Sequence, residues 1–129
     1  MPAATTSFNL SRIGQIMIPV RDLARAVGFY RDTLGMSFLF QVPRLAFFDC
    51  GGVRLMLGVP EGEAAHLNGT IIYYRVEDIQ AAVAALRERG VETVSDPNLV
   101  ARLEHSDLWL ASFRDSEDNL VELMSEVAR

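Results

Sequence analysis

Glu122 is the one acidic side chain in an otherwise apolar run, residues 120–124, and it is the first chemical signal in the chain. A lone carboxylate is costly to bury, so within a strand it should face a cleft rather than the core. There it could act as a general base, or be a structural group satisfied by Gln15 and water. Arg54, two residues before Met56, shares a strand face with it, and Arg75 shares a face with Tyr73 and Ile71. Either arginine could clamp a carboxylate or phosphate with its planar fork, or simply form a solvated pair. His66 and His105 are the only imidazoles. His105, in R-L-E-H-S-D-L-W beside Glu104, could lean over a cleft as acid, base or unconventional metal ligand, or be plain polar surface. Cys50 is the only cysteine, which excludes an intramolecular disulfide, suits a reducing cytoplasm and reads best as a packing residue.

The elements that must hold these groups come in two copies. Residues 20–35, V-R-D-L-A-R-A-V-G-F-Y-R-D-T-L-G, align with residues 76–90, V-E-D-I-Q-A-A-V-A-A-L-R-E-R-G, matching at Val20/Val76, Asp22/Asp78, Ala26/Ala82, Val27/Val83, Arg31/Arg87 and Gly35/Gly90. A unit of about 55 residues rarely buries enough apolar surface to stand alone, so function belongs where the copies meet. Alternation predicts opening strands over 14–20 and 70–76. Asp22 and Asp78 occupy helix N-caps, and Gly35 and Gly90 end the amphipathic helices that follow. Further strands are expected at 36–41, 44–49 and 53–58, then at 92–95, 108–114 and 120–125, with Gly51-Gly52 and residues 115–119 as turns. The unit is βαβββ, at 13–58 and 70–126 of a single domain spanning 1–129, joined by a linker at 59–69 that carries His66. The connection at 96–107, which holds His105, is long enough to suggest a lid or binding loop.

Composition narrows the partners. A net charge of −5 with no basic stripe argues against nucleic acid, and no apolar run is long enough to span a membrane. Residues 2–11 lack the pattern of a secretory leader, which also points to the cytoplasm. Met17, Met56, Ile71 and Tyr73 fall on the strand faces of Gln15 and Glu122, so the cleft should be apolar and aromatic, with Trp109 at the edge of the same sheet as a reporter. The expected partner is a small organic molecule.

The stretches I-P-V-R-D-L-A-R-A-V-G-F-Y-R-D-T-L-G-M, L-A-F-F-D-C-G-G-V-R-L-M-L, Y-R-V-E-D-I-Q-A-A-V-A-A-L-R-E-R-G-V and F-R-D-S-E-D-N-L-V-E-L-M resemble the vicinal oxygen chelate superfamily, which includes glyoxalase I, extradiol dioxygenases, methylmalonyl-CoA epimerases and bleomycin-binding resistance proteins. The resemblance implies an α+β fold of two βαβββ modules curling their sheets around a cleft. It also implies four ligand positions. Two lie seven residues before the aspartate of each V-x-D motif, at Gln15 and Ile71, and two at the centre of the last-strand triplets, at Met56 and Glu122. Glutamine is a permitted ligand by resemblance, but isoleucine offers no donor and a thioether suits soft Cu(I) better than zinc, nickel, iron or manganese. No cofactor is therefore expected. If a divalent metal is held, Gln15 and Glu122 are its ligands. The leading expectation is small-molecule binding in a metal-free cleft, as in the antibiotic-binding members, through Gln15, Met17, Arg54, Met56, Ile71, Tyr73, Trp109 and Glu122. The alternatives are a metal-dependent lyase, isomerase or dioxygenase using Gln15, Glu122 and His105, with Glu122 and His105 catalytic, and a dimerising module without ligand. A homodimer is expected, because open sheet edges and apolar strand faces call for a partner.

Overall fold

Alternation in β1 (Gln15–Pro19) sends Ile16 and Ile18 toward the first helix and Gln15 and Met17 to the opposite face. The computed structural model describes residues 10–60 and 70–129, so His66 and the body of the expected linker lie outside the described residues. α1 (Leu23–Gly28) starts where expected, with Asp22 Oδ1 accepting from the Arg25 backbone N–H at 3.0 Å. It does not continue as a regular α-helix to Leu34. Residues Phe29–Thr33 form a π-turn, in which the Leu34 N–H reaches back five residues to the Phe29 carbonyl at 2.9 Å. Gly35 then reverses the chain at φ 73°. β2 (Ser37–Val42), β3 (Leu45–Cys50) and β4 (Val53–Gly58) follow as a meander, and Gly51 and Gly52 take the positive φ that a two-residue hairpin turn requires.

The second copy repeats the pattern. β5 (Tyr73–Arg75) leads to α2 (Ile79–Glu88), capped by Asp78 Oδ1 on the Ala81 N–H at 3.0 Å. β6 (Asn98–Arg102), β7 (Ser106–Arg114) and β8 (Leu120–Ala128) complete it. The sheets have equivalent orders, β1-β4-β3-β2 and β5-β8-β7-β6, with the opening strand parallel to the last and all other pairs antiparallel. The fold is thus α+β, two βαβββ modules.

One expected element is displaced. Residues 92–95 make only an isolated bridge, Thr93 to Phe113, and the strand they were expected to form lies instead at Asn98–Arg102, paired with β7. The 96–107 segment is therefore no lid. It is largely a strand and a tight turn, closed by the Leu103 N–H on the Ser106 carbonyl at 2.7 Å.

Each helix buries its stripe on its own sheet, giving one core around Tyr30, Phe48, Leu55 and Leu57 and another around Val83, Ala111, Phe113 and Leu123. Phe29 and Leu34 pack against both. The modules are also tied by polar groups from the 115–119 turn. The Tyr30 hydroxyl donates to Asp115 Oδ2 at 2.7 Å, the Asn119 amide donates to the Pro19 carbonyl at 2.9 Å, and Glu117 receives the N–H groups of Arg21 and Asp22 at 2.8 Å each. Among the described residues no helix is long and apolar enough to cross a membrane.

Candidate functional site

A cleft of about 750 Å³ runs between the opening strands of the two modules, lined by Gln15 and Met17 from β1, by Ile71 just before β5, and by Leu120 at the start of β8. Beyond the cleft lining itself, strand register continues the row begun by Gln15 and Met17 across the face of the first sheet. Gln15 lies beside Arg54 and Met17 beside Met56 on β4, Met56 lies opposite Phe47 on β3, and Phe47 lies opposite Phe40 on β2. Gly58 ends the same row, where a Cβ would come within 2.9 Å of Met17 Cε and 3.1 Å of a Leu45 methyl. Glycine there lets Met17 lie flat against the sheet.

The polar groups of this face are coupled. Gln15 Oε1 accepts from Arg54 Nε at 2.8 Å, while Gln15 Nε2 donates to the Met56 sulfur at 3.6 Å. The Arg54 guanidinium carbon stands 5.3 Å from the Phe47 ring centroid, within cation–π range. Phe47 in turn stacks on Phe40, with centroids 4.5 Å apart and planes 24° from parallel. The result is a ladder of guanidinium, ring and ring across three strands. Among the described residues no carboxylate pairs with Arg54. Arg75 differs, since its Nη1 donates to Glu126 at 3.3 Å. Of the two arginines that the sequence left equivalent, Arg54 is the one without a carboxylate partner among the described residues.

Glu122 is 8% exposed, flanked in register by Tyr73 on β5 and Ser112 on β7. The Ser112 hydroxyl donates to Glu122 Oε1 at 2.6 Å. This partner was missed in the sequence, where Gln15 was the expected one; a pairing of 120–124 with 108–114 would have been needed to find it. Tyr73 is half exposed on the same face.

Two expected site residues fall elsewhere. Trp109 packs with the second helical core, on the side of Ala111 and Phe113, because alternation along β7 gives it the opposite face from Ser112. His105 is at the tip of the β6–β7 turn, its side chain 88% exposed and 3.6 Å from Glu104. It does not lean over the cleft. Cys50 is partly buried at the end of β3, where burial and then the Asp49 charge push its thiol pKa up, away from a reactive thiolate.

The four ligand positions implied by the resemblance do not suit a divalent metal. Ile71 has no donor, Met56 offers a thioether already taken by Gln15, and the Gln15 oxygen already accepts from a cation. No three His, Cys, Asp or Glu side chains converge as a metal cage among the described residues.

Comparison with known proteins agrees with this architecture. Residues 12–123 match the family model of the glyoxalase/bleomycin resistance protein/dioxygenase superfamily. The chain is 31% identical over 123 residues to the uncharacterized protein YraH of Bacillus subtilis, covering 84% of this chain and 94% of that one. It is 27% identical over 105 residues to the mitochondrial methylmalonyl-CoA epimerase of Mus musculus, covering 69% of this chain but only 59% of the epimerase. A crystal structure of a superfamily member from Sphaerobacter thermophilus superposes with a TM-score of 0.77 at 25% identity, covering 91% of this chain and 98% of that one.

Proposed function

Because the chain belongs to the glyoxalase/bleomycin resistance protein/dioxygenase superfamily, we propose that it uses that fold's cleft to bind a small organic molecule without a metal ion. The observation that carries this reading is the bond from Arg54 Nε to Gln15 Oε1. It sets a permanent cation on the only amide oxygen among the four ligand positions, where a dication would meet both a filled lone pair and a like charge. Met17, Met56, Ile71 and Tyr73 then act as an apolar lining, and Glu122 and Arg54 as the few groups that fix a ligand's polar ends.

The metal-dependent alternative would need a third ligand beside Gln15 and Glu122. His105, its candidate, stands at an exposed hairpin tip. Elemental analysis of purified protein, joined to thermal melts with added zinc, nickel, iron(II) and manganese, tests the proposal. The expected outcome is no stoichiometric metal and no shift in melting temperature. One tightly bound metal per chain, lost in Glu122→Ala, would overturn it.

The same reading includes a homodimer in a reducing cytoplasm. Its supports are the single thiol and the apolar side chains on two of the end strands, Leu39 on β2 and Leu99 and Val100 on β6, each more than a third exposed.

A further inference from the structure

We infer that the sheet face adjoining this cleft takes a planar aromatic carboxylate, its acid group held by Arg54 and its ring laid on the Phe47–Phe40 stack; this rests on the small-molecule reading above and names the class of molecule. The argument begins with the guanidinium. Nε is spent on Gln15, which locks the plane of the group, while no carboxylate of the described residues bonds the remaining N–H edge, Asp49 opposite it in register included. An arginine fixed by one bond and open along its fork is pre-organised for a two-point contact with a carboxylate, because little further side-chain entropy is lost on binding.

The surroundings select the rest of the molecule. Phe47 is nearly buried but Phe40 is 46% exposed, so the stack offers an uncovered aromatic face on the strand beyond the arginine's own ring partner. An aromatic ligand gains from offset stacking there, whereas a flexible aliphatic acid would lose rotamer freedom without that return. On the second sheet Glu122 already accepts from Ser112. A carboxyl oxygen there suits a hydrogen-bond donor such as a phenol better than a second acid group. The two sheets thus offer different polar groups: Arg54, with Asp49 opposite it in register, on the first, and Glu122 on the second.

Titration of the full chain with 2-naphthoate and with the uncharged 2-naphthamide tests this, read by the methyl NMR signals of Met17 and Met56 in ¹³C-methionine-labelled protein. The expected result is saturable shifts of both methyls with naphthoate and an affinity at least about tenfold weaker for the amide, the scale of one charged hydrogen-bonded contact. Arg54→Met should erase the preference for the acid, and Phe40→Leu should weaken both compounds while keeping it. Arg54→Lys should fall between, since it keeps the charge and loses the fork. Amide and acid binding equally, with Arg54→Met indifferent, would overturn the carboxylate assignment and leave the small-molecule reading standing. If neither compound, nor 2-naphthylamine, moves the Met17 and Met56 methyls of folded protein, the aromatic carboxylate inference falls, while the metal-free small-molecule reading is decided separately by the metal analysis above.

Discussion

Glu117 shows how one residue can matter more to the fold than to the site. Its side chain is 1% exposed, yet it is charged, because Arg25 Nε reaches it at 2.7 Å and the N–H groups of Arg21 and Asp22 at 2.8 Å each. Burial alone would raise its pKa, but the Arg25 bond, these backbone donors and the Ser116 hydroxyl outweigh it and hold the value at about 2, below the usual 4.5. A folded-state pKa below the unfolded one stabilises at pH values above the unfolded pKa, and that contribution is lost as pH falls through the folded one. With Arg25 half exposed and therefore screened, the contribution should be on the order of 2 kcal/mol. Urea unfolding of wild type and Glu117→Gln should differ by about that much at neutral pH and converge between about pH 4.5 and pH 2. A gap that stays constant across the range would refute the ionic account. In the sequence Glu117 was only part of a polar turn, because Arg25 and the backbone donors of Arg21 and Asp22 are more than ninety positions away. Glu122 was legible for the opposite reason: an acid among apolar neighbours is a local anomaly. His105→Ala should change stability by no more than about 0.5 kcal/mol, as expected for an exposed residue without strong partners.

Elements were legible where their signals were local. Both aspartate caps, both terminating glycines and the Gly51-Gly52 turn fall where alternation and capping chemistry place them. The displaced β6 was not, since the first copy begins its second strand two residues after Gly35, whereas the second copy inserts an irregular segment, 91–97, before Asn98. Leu99 and Val100 are too short an apolar signal to reveal a strand without β7, whose register also carries a bulge there. The π-turn in the first helix is a second tertiary effect. Five-residue closure accompanies a fully buried Tyr30 whose hydroxyl meets Asp115. Burial first, and then the Asp115 charge, push the Tyr30 pKa upward, so the hydroxyl remains a donor at any physiological pH. Tyr30→Phe should cost about 1 to 3 kcal/mol in urea unfolding, because it takes one donor from a buried carboxylate. Asp115 keeps the Glu117 and Asn119 N–H groups, so the variant should still fold; a loss below about 0.5 kcal/mol would show that the π-turn is held by packing alone.

At the scale of the molecule, the internal repeat led to the correct architecture, two equivalent βαβββ modules with the same strand order. What the repeat could not convey is how the outer rims are finished. The sheet orders give four end strands, β1 and β2 in one sheet and β5 and β6 in the other, each with one unpaired edge, and every residue of β2 is exposed. Free edges usually carry charges or prolines that prevent pairing. Residues 37–42 carry neither, reading S-F-L-F-Q-V, with Leu39 at 49% and Val42 at 41% exposure. A second copy covering this rim would remove both the open backbone edge and the apolar surface at once. Light scattering at micromolar concentration should therefore give twice the chain mass. Leu39→Lys, which places a charge at the bulge between Phe38 and Phe40 without touching either core, should shift the equilibrium toward monomer while leaving the circular dichroism spectrum intact. A wild-type chain that remains monomeric in concentrated solution would refute the dimer. A dimer indifferent to Leu39→Lys would instead move the interface to the β6 rim, where Val100→Lys provides the matching test.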